Sequence, residues 1–156
     1  MEFTLTQDFP AGLDRLWAAF GRADYPRLKY VALGATAVRM HRFNATGQVI
    51  DIELEPVCVS RRSVTDRFGS VTAELDIWPT GLPVRAQGTA AIVESGPEST
   101  RLLLTWRVHS RVPMIGDKVE RLFADQVRNA LEADHAFTLQ YLVAIASKHP
   151  DRKSVV

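Results

Sequence analysis

The chain has 156 residues, 46% hydrophobic and 24% charged, a balance that argues against disorder and allows a core of useful size. Its 19 Lys and Arg nearly cancel 18 Asp and Glu, leaving +1 at neutral pH, so no global field draws in nucleic acid or anionic lipid. A lone cysteine, Cys58, excludes an internal disulfide and fits a reducing cytoplasm.

Met1 leads straight into strand-like alternation, with no basic stretch followed by an apolar one. The longest weakly polar run, Tyr30 to Val38, is too short to span a bilayer. One cytoplasmic domain is expected over residues 1–149, with 150–156 as a frayed tail.

Over residues 2–9, Phe3, Leu5 and Gln7 alternate with Glu2, Thr4 and Thr6, which predicts a half-buried strand ended by Pro10 and Gly12. Asp14 to Gly21 reads as a short helix with Leu13, Leu16, Trp17 and Phe20 on one side. Asp24 caps a second short helix carrying Tyr25, Leu28 and Ala32, with Pro26 in its first turn and Gly34 at its end. Neither helix is long enough to stand alone, so both must lie on a sheet.

From Ala35 to Arg111 the period is two. Ala35 to Ala45 is one strand, turned by Ala45-Thr46-Gly47 into a second, where Val49, Asp51, Glu53 and Glu55 oppose Ile50, Ile52 and Leu54. Ser60 to Gly69 is looser, a short strand at most. Val71, Ala73, Leu75 and Ile77 alternate with polar residues up to the turn Pro79-Thr80-Gly81-Leu82-Pro83. Val84, Ala86, Gly88, Ala90 and Ile92 make an inner row of small side chains, and Leu102, Leu104, Trp106 and Val108 make the next. One-sided strands joined by short turns predict an antiparallel meander with one covered face.

Pro113 stops the last strand, and Gly116 and Asp117 open a helix that meets no further glycine or proline before Pro150. Such a rod is ~50 Å long at ~1.5 Å per residue. A compact domain of this length is only roughly 40 Å across, so the helix must cross it. Asp117, Arg121, Asp125, Arg128, Glu132 and His135 form a charged face. Val119, Phe123, Val127, Ala130, Leu131, Phe137, Tyr141 and Ile145 form the opposite one. Asp134 breaks the separation, lying among Val127, Phe137 and Tyr141.

The order strand, two short helices, five or six strands and long helix, with the Asp14-Arg15-Leu16-Trp17 helix start, resembles the START-like superfamily. So does Pro113, Gly116, Lys118 and Glu120 at the opening of the last helix, a pattern like that of a branch known only as a domain of unknown function. The resemblance implies an α+β helix-grip fold: a curved antiparallel sheet of six or seven strands wrapped around the C-terminal helix, enclosing an apolar cavity. Lipid-transfer domains, pollen-allergen-type proteins and polyketide cyclases share that fold. The motifs are structural and carry no catalytic signature.

Chemical motifs are mostly missing. His41, His109, His135 and His149 have no paired ligand spacing, so no metal is expected, and His135 reads as a solvated residue. No glycine-rich phosphate cradle and no G-x-S-x-G elbow occurs, and no cofactor is expected. Cys58 reads as a structural thiol, and Arg39, Arg42, Arg61 and Arg62 read as a wet sheet surface rather than a nucleic-acid site.

What remains is the apolar interior. Leu75, Ile77, Ala86, Gly88, Ala90, Leu104, Trp106, Phe123, Val127, Phe137 and Tyr141 are the expected cavity wall, with Asp134 as polar anchor. Asp134 instead bonded to an arginine or a backbone amide is the structural alternative. Binding of a small hydrophobic or amphipathic molecule, lipid or polyketide-like, by a monomer or weak homodimer without nucleic acid or an integral membrane anchor is the leading function. A cyclase or dehydrase using Asp134, Tyr141 or Arg107, and a ligand-free interaction protein with a filled core, are the alternatives.

Overall fold

A computed structural model of the chain describes residues 1–22, 24–35, 38–44, 49–54, 57–65, 71–79 and 81–148, with side chains over 1–22, 24–35, 72–79 and 81–146. In chain order the described elements are β1 (Glu2–Phe9), α1 (Leu13–Phe20), α2 (Asp24–Ala32), β2 (Val38–Asn44), β3 (Val49–Leu54), β4 (Val57–Thr65), β5 (Val71–Pro79), β6 (Val84–Gly96), β7 (Ser99–Ser110) and α3 (Gly116–Lys148). The class is α+β, with a long C-terminal helix on an antiparallel sheet. The strands run in the order β1-β7-β6-β5-β4-β3-β2, so the first strand lies beside the last.

Strict alternation puts Phe3, Gln7 and Phe9 of β1 inside, and Leu102, Leu104, Trp106 and Val108 of β7 beside them. The outer face carries cross-strand ion pairs: Arg107 to Glu2 at 2.8 Å, Arg101 to Asp8 at 2.7 Å and Arg85 to Asp76 at 2.7 Å. Exposed pairs of this kind contribute only ~0–1 kcal/mol each, and their main effect is to keep that face wet. Arg107 therefore points away from the interior and is removed from the acid–base candidates.

The stretch from Ser60, read as looser with a short strand at most, belongs as far as Thr65 to a well-paired nine-residue strand. Val57 to Thr65 run in register against β5 and Cys58 to Arg62 against β3, and those ladders outweigh the Arg61-Arg62 break in alternation. The corner at 45–47, residues 66–70, Thr80 and the tail from His149 lie outside the described residues. So do the side chains of β2, β3 and β4, including Cys58, His41 and the four arginines assigned to a wet surface.

On α2 the expected face holds at Tyr25 and fails at Leu28 and Ala32. Leu28 is 49% exposed and Ala32 is exposed, while Tyr25, Pro26 and Lys29 are buried. The helix turns its lysine inward because the ammonium finds a carboxylate there, described below.

α3 packs on β6 and β7. Glu120 explains the motif at its start: its Oε1 accepts the Ser110 backbone N–H at 3.0 Å, tying the end of β7 to the second turn of the helix. That bond holds the Glu120 carboxyl below its ordinary value. Met114 takes a positive φ of 66° in the connecting turn.

The interior has two centres. One gathers Phe3, Ala86, Leu104, Trp106 and Val108 of the sheet with Phe123, Ala124 and Val127 of α3. The other gathers Phe9, Leu16, Phe20, Tyr25, Ile92 and Leu102 with Tyr141 and Leu142. α1 and α2 belong wholly to the second.

Candidate functional site: a cavity between the two cores

Where the two centres meet, a cavity of about 110 Å³ remains. Its floor is Ala73, Leu75 and Ile77 of β5, Ala90 and Ile92 of β6, and Leu102, Leu104 and Trp106 of β7. Trp17 and Phe20 of α1 and Tyr25, Pro26, Lys29 and Tyr30 of α2 close one side, and Leu131 and Asp134 of α3 with Gln7 of β1 complete the wall.

The polar feature of that wall is an ion pair. Lys29 Nζ lies 3.0 Å from Asp134 Oδ2, and the ammonium sits 5.0 Å and 4.7 Å above the Tyr25 and Tyr30 ring centres. Two aromatic faces and a carboxylate make burial of the charge tolerable. Asp134 thus pairs with a lysine, where the sequence suggested an arginine or a backbone amide.

A second layer fixes this pair. Thr138 Oγ1 donates to the Asp134 carbonyl at 2.9 Å and shares a 2.7 Å hydrogen bond with the Tyr25 hydroxyl. Gln7 Nε2 donates to the Leu131 carbonyl at 3.0 Å, one turn before Asp134. Behind them the Tyr141 hydroxyl donates to Asp24 Oδ1 at 2.9 Å, and Arg22 faces the same carboxylate. Partial burial acts to raise the Asp24 carboxyl, but the Tyr141 and Arg22 bonds outweigh it and hold it below its ordinary value. Burial, then the Asp24 bond and charge, push the Tyr141 phenol up to about 12.

Of the expected wall residues, Leu75, Ile77, Ala90, Leu104, Trp106 and Asp134 do come together around the cavity. Ala86, Phe123 and Val127 are packed in the first core, because the N-terminal half of α3 lies directly on the sheet. Phe137 packs in the second core, and Tyr141 is engaged with Asp24. Gly88 is not open space. A Cβ there would come within 2.8 Å of Trp106 Cδ2 and Cε3, since Trp106 stands opposite it in the ladder and its ring lies over the glycine.

Lys29 and Tyr30 were missed because α2 offers too few turns to define a face. Gln7 and Trp17 were visible on inward positions and were read as ordinary core. His135, read as solvated, lies at the partly exposed edge of α3. Its Nε2 donates to the Asp8 carbonyl at 2.7 Å and its ring packs edge-on to Phe9, so it clips α3 to β1. Among the described residues no cluster of His, Cys, Asp and Glu could hold a metal, and no helix is long and apolar enough to cross a membrane.

The family model described as a protein of unknown function (DUF2505) matches residues 56–142, from the start of β4 through most of α3. The chain belongs to this family. Trp106 and Asp134 fall inside the match, whereas α1, α2 and therefore Lys29 precede it. Among solved structures it is similar to the ZhuI aromatase/cyclase from Streptomyces, at 17% identity over 91% of this chain and 93% of that one, with a TM-score of 0.64. A START superfamily protein from Mycobacterium smegmatis matches at 14% identity over 90% and 98%, TM-score 0.59. Norcoclaurine synthase from Thalictrum flavum matches at 14% over 90% and 87%, TM-score 0.57. No curated protein matches the chain. At these identities the likeness establishes a START-like fold.

Proposed function

We propose that this chain binds a small hydrophobic or amphipathic molecule, of lipid or polyketide-like character, in the cavity between the sheet and α3. Residues 1–149 act as one unit whose sheet grips the helix. The observation that carries the reading is an apolar cavity interrupted by a single described ion pair, Lys29–Asp134. Apolar walls with a few placed polar groups are the usual make-up of a small-molecule site. The norcoclaurine synthase structure holds dopamine and hydroxybenzaldehyde, and another neighbour is an aromatase/cyclase, which supports a small-molecule use of this interior. Leu75, Ile77, Ala90, Leu104 and Trp106 are the proposed contacts, with Lys29 and Asp134 as the polar wall.

A second reading has one observation in its favour. Lys29 and Asp134 bring an acid and a base to one point, which acid–base catalysis of cyclase or dehydrase type requires. Binding leads because the two groups neutralise each other. Native mass spectrometry of the purified protein, for molecules released on denaturation, tests the reading. A retained small molecule that is lost in an Ala90→Leu variant is expected. A wild-type protein that carries nothing and takes up no apolar probe would contradict it.

A further inference from the structure

We infer that the ligand is amphipathic, with an apolar body on the sheet floor and, at its polar end, a hydroxyl or ammonium that donates a hydrogen bond to Asp134 Oδ1. The inference rests on the cavity reading above and adds the chemistry of the polar end.

Access comes first. Asp134 lies on the cavity wall, and its side chain is 26% exposed, against 10% for Lys29. The carboxylate is therefore the more accessible member of the ion pair. The ammonium is enclosed, 3.0 Å from Oδ2 and flanked by the Tyr25 and Tyr30 rings.

Unused acceptor capacity comes second. A carboxylate has about four sites at which its two oxygens accept hydrogen bonds. Oδ2 takes the Lys29 ammonium. Oδ1 has Thr138 Oγ1 at 3.4 Å, but that hydroxyl carries one hydrogen and gives it to the Asp134 carbonyl at 2.9 Å. Oδ1 is thus an acceptor on the cavity wall with no close donor among the described residues. Donors of the same wall are engaged within the chain: Lys29 with Asp134, Gln7 Nε2 with the Leu131 carbonyl and the Tyr25 hydroxyl with Thr138. The Tyr30 hydroxyl can give or accept, so it favours neither kind of ligand.

Competition with water comes third. A carboxylate in contact with solvent is hydrated, and a ligand that displaces this water must replace its hydrogen bond. An alcohol or an ammonium does so. An ether or a hydrocarbon does not, and a carboxylate end group meets the like charge of Asp134.

The test compares n-octanol, its isomer heptyl methyl ether, octylammonium and octanoate at neutral pH. Wild-type protein should bind n-octanol or octylammonium about 10-fold more tightly than the ether, the low end for a hydrogen bond to a charged group. Octanoate should bind no better than the ether. In the double variant Lys29→Met with Asp134→Leu, n-octanol and the ether should bind within about twofold of each other, because the acceptor is gone. The Asp134 carboxyl carbon resonance of wild-type protein should move with n-octanol and not with the ether, a readout that needs no variant. The tighter of n-octanol and octylammonium tells hydroxyl from ammonium, and either one supports the donor. Equal affinities for all three uncharged and cationic probes with an unmoved carboxyl resonance would overturn the donor and leave the cavity reading intact. So would octanoate binding most tightly, or an n-octanol preference that persists in the double variant. If none of the four binds, both readings fall.

Discussion

Lys29 of α2 and Asp134 of α3 form a 3.0 Å ion pair on the cavity wall, with side chains only 10% and 26% exposed. It joins the short helix to the long one, and it is both a strut and part of the wall. Removing one partner leaves a charge in a largely desolvated place. Asp134→Asn should therefore cost about 3 kcal/mol, the low end for a buried pair because Asp134 keeps some contact with water. Probe affinity should fall with it. The double replacement Lys29→Met with Asp134→Leu should recover most of the loss, to within ~1 kcal/mol of wild type. Urea midpoints for the four proteins decide this, and strictly additive single effects would show that the two charges do not interact.

Gly88→Ala is expected to destabilise. Its Cβ would stand 2.8 Å from the Trp106 ring, so the ring must shift, at ~1–3 kcal/mol for an overpacked core. Tryptophan fluorescence should change in the folded state as the indole moves. An unchanged denaturation midpoint would mean that the ring has room to yield.

The sequence places Gly88 on the expected cavity wall, within an inner row of small side chains. Composition reports volume only within one strand, whereas the Gly88–Trp106 contact depends on the register between two. The alternation of β1, β5, β6 and β7 was legible because each strand has one wet face. Asp134 was legible because it violates a clear helical period. That period names the face of a residue but not its distance from the sheet, so Phe123 and Val127 were placed on the cavity although they pack flat on the strands. Lys29 was hidden for another reason. Nine residues of α2 allow several faces, and a lysine gives no sign of turning inward until its carboxylate is located.

The Tyr141 phenol titrates at about 12 in the folded protein, above its unfolded value near ~10. A raised folded value favours the protonated, folded form. Its contribution is complete below the unfolded value and is lost as pH rises from there through the folded one. Wild-type protein should lose more stability than Tyr141→Phe across that alkaline window, measured by denaturant midpoints. Parallel profiles would place the strain elsewhere.

At the acid end the sign reverses. The Ser110 amide holds the Glu120 carboxyl below its ordinary value, so the bond stabilises the fold above the unfolded carboxylate range and is lost as pH falls through the folded value. Glu120→Gln should flatten that acid limb, and the Ser110 amide should exchange with solvent faster. An acid limb unchanged by the substitution would remove Glu120 from its role at the start of α3.

The most direct trial of the cavity is a titration of methyl-labelled protein with toluene, followed by NMR. Ala73, Ala90, Leu102, Leu104 and Leu131 line the space from β5, β6, β7 and α3, and their methyl resonances should shift together and saturate with one dissociation constant. If these methyls stay still up to the solubility of toluene, or if only surface groups such as Leu82, Met114 and Ile115 respond, the interior does not receive a ligand.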